Sequence, residues 1–135
     1  MDDLVTDAST WVCALTGTTT IAADLRTRLV SSRCHAPHVV DAEVGHVLRR
    51  RERCGALEPD TALTALRLLR TAVDERYPHA GPIAELAWTQ RKNLSYYDAL
   101  YVALSSALRI PLLTLDARLA NAPNLPCEVE LLIDN

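Results

Sequence analysis

Four acidic residues, Asp7, Glu43, Asp98 and Asp116, stand where chemistry is most plausible in this chain. Each has apolar neighbours on at least one side, whereas Glu52, Glu58, Asp74 and Glu75 read as scattered surface acids. Asp98 is the clearest case. Ser95 sits at a helix N-cap position and Asp98 three residues on, the place of the acidic partner in a capping box. From Ala99 to Leu108 there is no charge. A helix apolar nearly all round is buried on most faces, so Asp98 is a lone charge at its mouth. Arg109, Ile110 and Pro111 end that helix, and Pro111 to Leu115 reads as a buried parallel strand that delivers Asp116 at its carboxyl end. Asp7 likewise ends a short apolar-leaning strand, Leu4 to Thr6, and Glu43 falls in the first turn or two of a helix predicted over Val39 to Arg53.

Burying carboxylates is costly unless something cationic compensates. If the sheet is parallel, its strand ends share one edge and these side chains converge. Four carboxylates in one cleft repel, so some keep their protons or a metal binds. Oxygen donors without His or Cys select magnesium, or manganese in its place. Such an ion activates water against a phosphodiester, and a second ion about 3.5–4 Å away stabilises the leaving oxygen. Ser9 and Thr114, each two residues from a candidate acid, are placed to orient ligands or hold water. Taken singly, Asp98 reads more readily as a helix cap than as a ligand, and Glu43 as a satisfied surface acid.

The elements that must position these residues follow from periodicity and punctuation. Ser9 or Thr10 caps a short helix through Ala14, and Gly17 to Thr20 forms a turn and the next cap. Ile21, Leu25 and Leu29 recur at i, i+4 and i+8, the stripe of an amphipathic helix closed by Ser31, Ser32 and Arg33. The stripe reads as core first and as one wall of a partner groove second. The helix from Val39 stops at Cys54-Gly55. Glu58-Pro59-Asp60 starts another, with Leu63, Leu66, Leu69 and Val73 inward and Arg67 and Arg70 outward. Tyr77-Pro78-His79 reads as a short strand or an extended link. Pro82 opens a helix through Arg91 with Ile83, Leu86 and Ala87 inward. A short helix, Ala117 to Ala122, precedes an edge strand over Cys127 to Ile133. Helices alternating with short strands, without repeat or linker, make an α/β domain with a small, mostly parallel sheet.

Composition narrows the function. The 135 residues suit one domain with one core, and 49% hydrophobic content is ordinary for a globular protein. No apolar run reaches membrane-spanning length, and the start, Met-Asp-Asp, is not a signal peptide, so a cytoplasmic protein with no membrane association is the expectation. A formal net charge of −3 argues against bulk polyanion binding, though not against a local basic patch. Arg49, Arg50, Arg51 and Arg53 form such a run at the end of the Glu43 helix. It reads as a solvated helix terminus favoured by the macrodipole, or as backbone contact with RNA, with Arg49, Arg50 and Arg53 as candidates. The run spans more than one helix face, so at most two arginines share a groove. The four cysteines, Cys13, Cys34, Cys54 and Cys127, form no C-x-x-C pair and read as small buried hydrophobes. Glu43-x-x-His46 lacks the second such motif that a di-iron bundle needs, which leaves His46 as a groove-lining or partly buried polar residue. Asp7 has no second Asp two residues on, as a phosphotransfer aspartate of the dehalogenase type would. There is no Gly-rich phosphate loop and no Gly-x-Ser-x-Gly elbow.

Four segments carry a resemblance: V-T-D-A-S-T at 5–10, H-V-V-D-A-E-V-G-H-V-L-R-R at 38–50, S-Y-Y-D-A-L-Y-V-A-L at 95–104 and L-L-T-L-D-A-R-L-A at 112–120. In order, interval and local residues they resemble the PIN domain, and more narrowly the VapC toxins of bacterial type II toxin–antitoxin pairs. The last two segments are the most specific. The resemblance implies a single PIN domain over 1–135, a three-layer α/β/α sandwich and a magnesium-dependent endoribonuclease. It maps the family's acidic quartet onto Asp7, Glu43, Asp98 and Asp116, and its small hydroxyl positions onto Ser9 and Thr114. It also implies an RNA substrate, a cognate VapB-like antitoxin whose C-terminal segment blocks the site, and a homodimer. A non-catalytic PIN-like module that binds RNA or protein is the rival reading, and a small carboxylate–metal phosphatase a third.

Overall fold

The computed structural model describes residues 1–133. Among them strands and helices alternate: β1 (Asp2–Thr6), α1 (Ala8–Thr16), α2 (Thr20–Val30), β2 (Ser32–Pro37), α3 (Val39–Arg53), α4 (Pro59–Ala72), β3 (Glu75–Tyr77), α5 (Pro82–Trp88), α6 (Tyr96–Leu108), β4 (Leu112–Thr114), α7 (Ala117–Ala120) and β5 (Val129–Leu131). The strands form one sheet in the order β3-β2-β1-β4-β5. Every pairing is parallel, the terminal β4–β5 pair included.

Parallel neighbours need crossovers, and crossovers are right-handed. The chain moves one way from β1 to β3 and the other way from β3 through β4 to β5, so α1 to α4 cover one face and α5 to α7 the other. The Trp11 indole of α1 donates to the Thr6 hydroxyl beneath it at 2.8 Å, while α6 packs across β1, β2 and β4. The three layers bury the central strands on both sides: Leu4, Val5, Leu112 and Leu113 are all within 1% of complete burial. Helix α6 is buried from Ala99 to Ser105, as its uncharged run requires.

Several elements differ from their sequence signals. Strand β1 begins at Asp2, because Asp2 and Asp3 pair with Ser32 and Arg33 even though only its later residues are apolar. The cap of α1 is Asp7, whose carboxylate accepts from the Thr10 N–H, so the helix starts before Ser9. Strand β2 gives no apolar run, yet it pairs on both sides and buries Cys34 and Ala36. Only Ser31 closes α2; Ser32 and Arg33 belong to β2. On α4 the inward stripe is Ala62, Ala65 and Leu69, and Leu63 and Leu66 are exposed. Small residues face in because α4 lies close over α1 and α3. Helix α5 ends at Trp88 and leaves Leu86 exposed, α7 ends at Ala120, and the final strand is the three residues of β5. Cys34 is buried, Cys13 and Cys127 are partly so, and Cys54 is exposed, so the reading of four small buried hydrophobes holds fully only for Cys34.

Two contacts set where α1 and α3 sit. Arg76 on β3 grips both oxygens of Asp41 on α3, at 2.7 and 2.8 Å, and donates to the carbonyls of Leu69, Arg70 and Val73 at the end of α4. It closes the end of α4 and pins the first turn of α3, two residues before Glu43. Gly17 ends α1 where α2 comes closest. A Cβ there would lie 2.5 Å from the Cys13 carbonyl oxygen and 2.6 Å from Ala22 Cβ. Gly17→Ala is therefore expected to force α1 and α2 apart and lower stability by about 1–3 kcal/mol, read as a fall in Tm. An unchanged Tm would mean that the two helices are not in such close contact.

Candidate active site

The strand order reverses between β1 and β4, and ligands of open parallel sheets bind at the carboxyl ends beside such a reversal. Asp7 follows β1 directly, and Thr114 ends β4 two residues before Asp116. The loop out of β2 turns into α3, which brings Glu43 over the same edge, and α6 starts there with Asp98 in its first turn. All four carboxylates line one cavity of about 620 Å³, together with Ser9, Tyr101, Arg50 and Arg51.

Asp7 is the most deeply held. It is 6% exposed, and every oxygen is bonded. Oδ1 accepts from the Ser9 hydroxyl (2.7 Å), the Thr10 N–H and the Thr10 hydroxyl (both 3.0 Å), while Oδ2 accepts from the Thr114 hydroxyl. The Ser9 hydroxyl in turn accepts the Leu115 N–H at 3.1 Å, and the Thr114 hydroxyl accepts the Asp116 N–H at 3.0 Å. These hydroxyls thus stitch the ends of β1 and β4 together and aim Asp7. Asp116 caps α7, accepting from the N–H groups of Arg118 and Leu119.

Burial pushes the Asp7 carboxyl above its ordinary range, against the pull of its four hydrogen bonds. Burial also raises Glu43; the nearby Tyr101 hydroxyl opposes it, and the charges of Asp98 and Asp7 add to it. Asp98 is raised by burial and then by Asp116, with Ser95 and Arg118 opposing and Asp7 adding. Glu43 and Asp98 both feel neighbouring carboxylates, as acids around one space do. The Tyr101 phenol is driven upward by burial and by Glu43, so it stays a neutral donor. Tyr101 and Glu43 face one another near but outside good hydrogen-bond geometry, which leaves Glu43 Oε1 and the Tyr101 oxygen buried without a partner.

This donor set fits a hard divalent cation. It is all oxygen, it is repulsive when ionised, and it includes a buried carboxylate oxygen with nothing to bond. Among the described residues no three acidic, His or Cys side chains close into a cage. Magnesium asks for less, since it keeps several waters and uses one or two carboxylates at a time.

The arginine run divides as helix geometry demands. Arg50 lines the acid cavity, Arg49 opens onto a groove with Gly45 and Leu66, and Arg53 lines neither. Arg51, absent from the sequence-based candidates, lines the acid cavity with Arg50. Tyr101 was also absent from them, although it lies three residues after Asp98 and so shares its helix face. His46 is exposed on α3 and does not line the acid cavity, so the expectation of a groove-lining or partly buried residue is not met there.

The Asp7 environment has a measurable cost. Its folded-state pKa lies above the ordinary 3.8, so the folded protein holds that proton more tightly than the unfolded chain. Stability linked to Asp7 is full below pH 3.8 and is lost as pH rises through the raised value. Asp7→Asn removes that loss. In metal-free buffer its Tm advantage over the unaltered protein should widen from about pH 4 to about pH 7. A gap independent of pH would show that Asp7 is not a strained buried carboxylate.

A parallel sheet in this order, with helices on both faces, places the chain in the doubly wound α/β class. The PIN-domain family profile matches residues 4–125, and the chain belongs to that family and, within it, to the VapC ribonucleases. Ribonuclease VapC1 of Mycobacterium tuberculosis is 49% identical over 131 residues, spanning 97% of this chain and 98% of that protein. VapC ribonuclease Mb0985 of Mycobacterium bovis is 39% identical over 129 residues, spanning 93% and 95%. Two solved structures share the fold. PAE2754 from Pyrobaculum aerophilum has a TM-score of 0.70 at 19% identity, covering 95% of this chain and 83% of that one. VapBC2 from Rickettsia felis, bound to a DNA fragment from its promoter, has a TM-score of 0.70 at 11% identity, covering 97% and 99%. No helix among the described residues is long and apolar enough to cross a membrane.

Proposed function

We propose that this ribonuclease is a divalent-metal-dependent endonuclease in which Asp7, Glu43, Asp98 and Asp116 hold one or two magnesium ions, with manganese as a substitute. One observation carries the reading: four carboxylates from four separate elements line a single cavity at the reversal of the sheet. When bound, the metal supplies an activated water and neutralises the charge that develops on the scissile phosphate and the leaving oxygen. The chain's own residues do the rest. Ser9, Thr10 and Thr114 keep Asp7 in one orientation, so it is aimed before substrate arrives. Tyr101, neutral and buried, lines the cavity beside Glu43 without adding a charge to the acids. Arg50 and Arg51 supply the positive charge that a net-negative protein needs to receive a phosphate backbone. No protein nucleophile is required, and the expected products carry a 5′ phosphate and a 3′ hydroxyl.

We also assign the chain to the toxin side of a toxin–antitoxin pair, with a VapB-like protein as its inhibitor. VapBC assemblies among the structures that share its fold support this. The test of the whole reading is cleavage of single-stranded RNA by the purified protein, with and without magnesium, beside the Asp98→Asn variant.

A further inference from the structure

The chain has two tryptophans and four tyrosines and no phenylalanine. Trp11 and Tyr101 are buried, yet Trp88, Tyr96 and Tyr97 are 59%, 41% and 57% exposed. Trp88 ends α5 and meets Tyr96, the first residue of α6, edge to face with ring centroids 6.4 Å apart. The Arg91 guanidinium sits over the indole, 5.0 Å from its centroid. Lys92, the one lysine among fourteen basic residues, follows directly. A chain this sparing of aromatic residues would cover them if they served only the core.

The cluster is joined through α6 to the acid cavity. Tyr96 and Tyr97 immediately precede Asp98, and Tyr97 lies one helical turn before Tyr101, which lines that cavity. Asp98 also borders a second cavity, of about 270 Å³, whose walls include Asn93, Ser95 and Arg118. Asn93 is held there by a 2.8 Å bond from its amide to the Pro123 carbonyl. The Arg118 side chain is 93% exposed, 4.0 Å from Asp116. A path thus runs from the acids, past Asp98 and Arg118, to the segment that carries Arg91, Lys92 and the rings.

We infer that Trp88, backed by Arg91 and flanked by Tyr96, is a stacking platform for an unpaired base of single-stranded RNA, one that seats the strand beside the cleavage cavity. The inference rests on the proposed ribonuclease site and adds the part of the substrate that it reads. The Trp88 indole meets a guanidinium and Tyr96 yet is 59% exposed, and an exposed indole is the kind of surface on which bases stack. Arg91, Lys92 and Arg118 give the phosphates flanking that base their counter-charge. Duplex RNA cannot use the platform, because its bases are already stacked.

The test uses the intact protein with calcium in place of magnesium, and short oligouridylate and oligoadenylate as probes. Trp11 is buried and bonded to Thr6, so a fluorescence change on adding RNA reports Trp88. The expected result is quenching on titration, with Trp88→Ala weakening RNA binding by roughly tenfold or more and Trp88→Phe keeping most of the affinity. Melting curves of both variants exclude misfolding, and Arg91→Ala provides a second, milder loss. Unchanged affinity in Trp88→Ala together with unquenched fluorescence would overturn the platform while leaving the cleavage site untouched. So would a variant that changes from dimer to monomer with RNA affinity per protomer unaltered, since the face would then serve a second copy of the chain. An unaltered protein that cuts no RNA yet binds it through Trp88 would sink the metal-nuclease reading and keep the platform. Failure to bind either probe would sink the platform.

Discussion

Asp98→Asn is expected to leave the protein folded and reduce RNA cleavage at least about a hundredfold. The cap of α6 survives the change, because the bond that forms it runs from the Asp98 backbone N–H to the Ser95 hydroxyl at 3.2 Å. Asparagine has the same shape and still accepts through Oδ1. What disappears is one negative charge that burial, Asp116 and Asp7 already disfavour. Its removal relieves repulsion, so Tm should hold or rise while activity collapses, the usual signature of a residue kept for function at the expense of stability. Circular dichroism melts and single-turnover cleavage of a single-stranded RNA check both halves. A variant cutting at the unaltered rate would remove Asp98 from the site, and one that fails to fold would make it structural.

Chelation is the second large effect. EDTA should stop cleavage and magnesium restore it, a swing of roughly a thousandfold for an ion that contributes several kcal/mol to the transition state. The same ion should raise Tm, because it binds the folded site and not the unfolded chain. It does so by compensating carboxylates that burial lifts in Asp7, Glu43 and Asp98 and that neighbouring acids lift further in Glu43 and Asp98. The two readouts are independent: a rise in Tm without cleavage would locate the ion but refuse it a catalytic role. Cleavage that persists in EDTA would exclude the metal altogether.

What could be read from residues alone was whatever depends on near neighbours along the chain. Helix α3 runs over Val39–Arg53 and α6 opens behind Ser95, both as their apolar spacing, caps and stops demanded, because a helix closes its hydrogen bonds within itself. The acids at element ends stood out for the same reason: each is a charge at the edge of an apolar run. Strand β2 did not stand out, since Ser-Arg-Cys-His-Ala-Pro becomes a strand only through partners on either side. Leu63 and Leu66 looked inward by period, but the close approach of α4 to α1 and α3 gave the inner positions to alanines.

The site itself belongs to tertiary structure. Asp7 and Thr114 are separated by 107 positions and share a hydrogen bond only because β4 lies beside β1 at the reversal of strand order. Arg51, Tyr101 and the Trp88 cluster acquired their places in the same way, from helix phase and from which helices touch. The residue types carried by this chain determined that any metal it holds would be hard and that its acids would resist burial. Only the packing of non-neighbouring elements decided that those acids would face one another, because repulsion between them exists at all only once folding has brought them together.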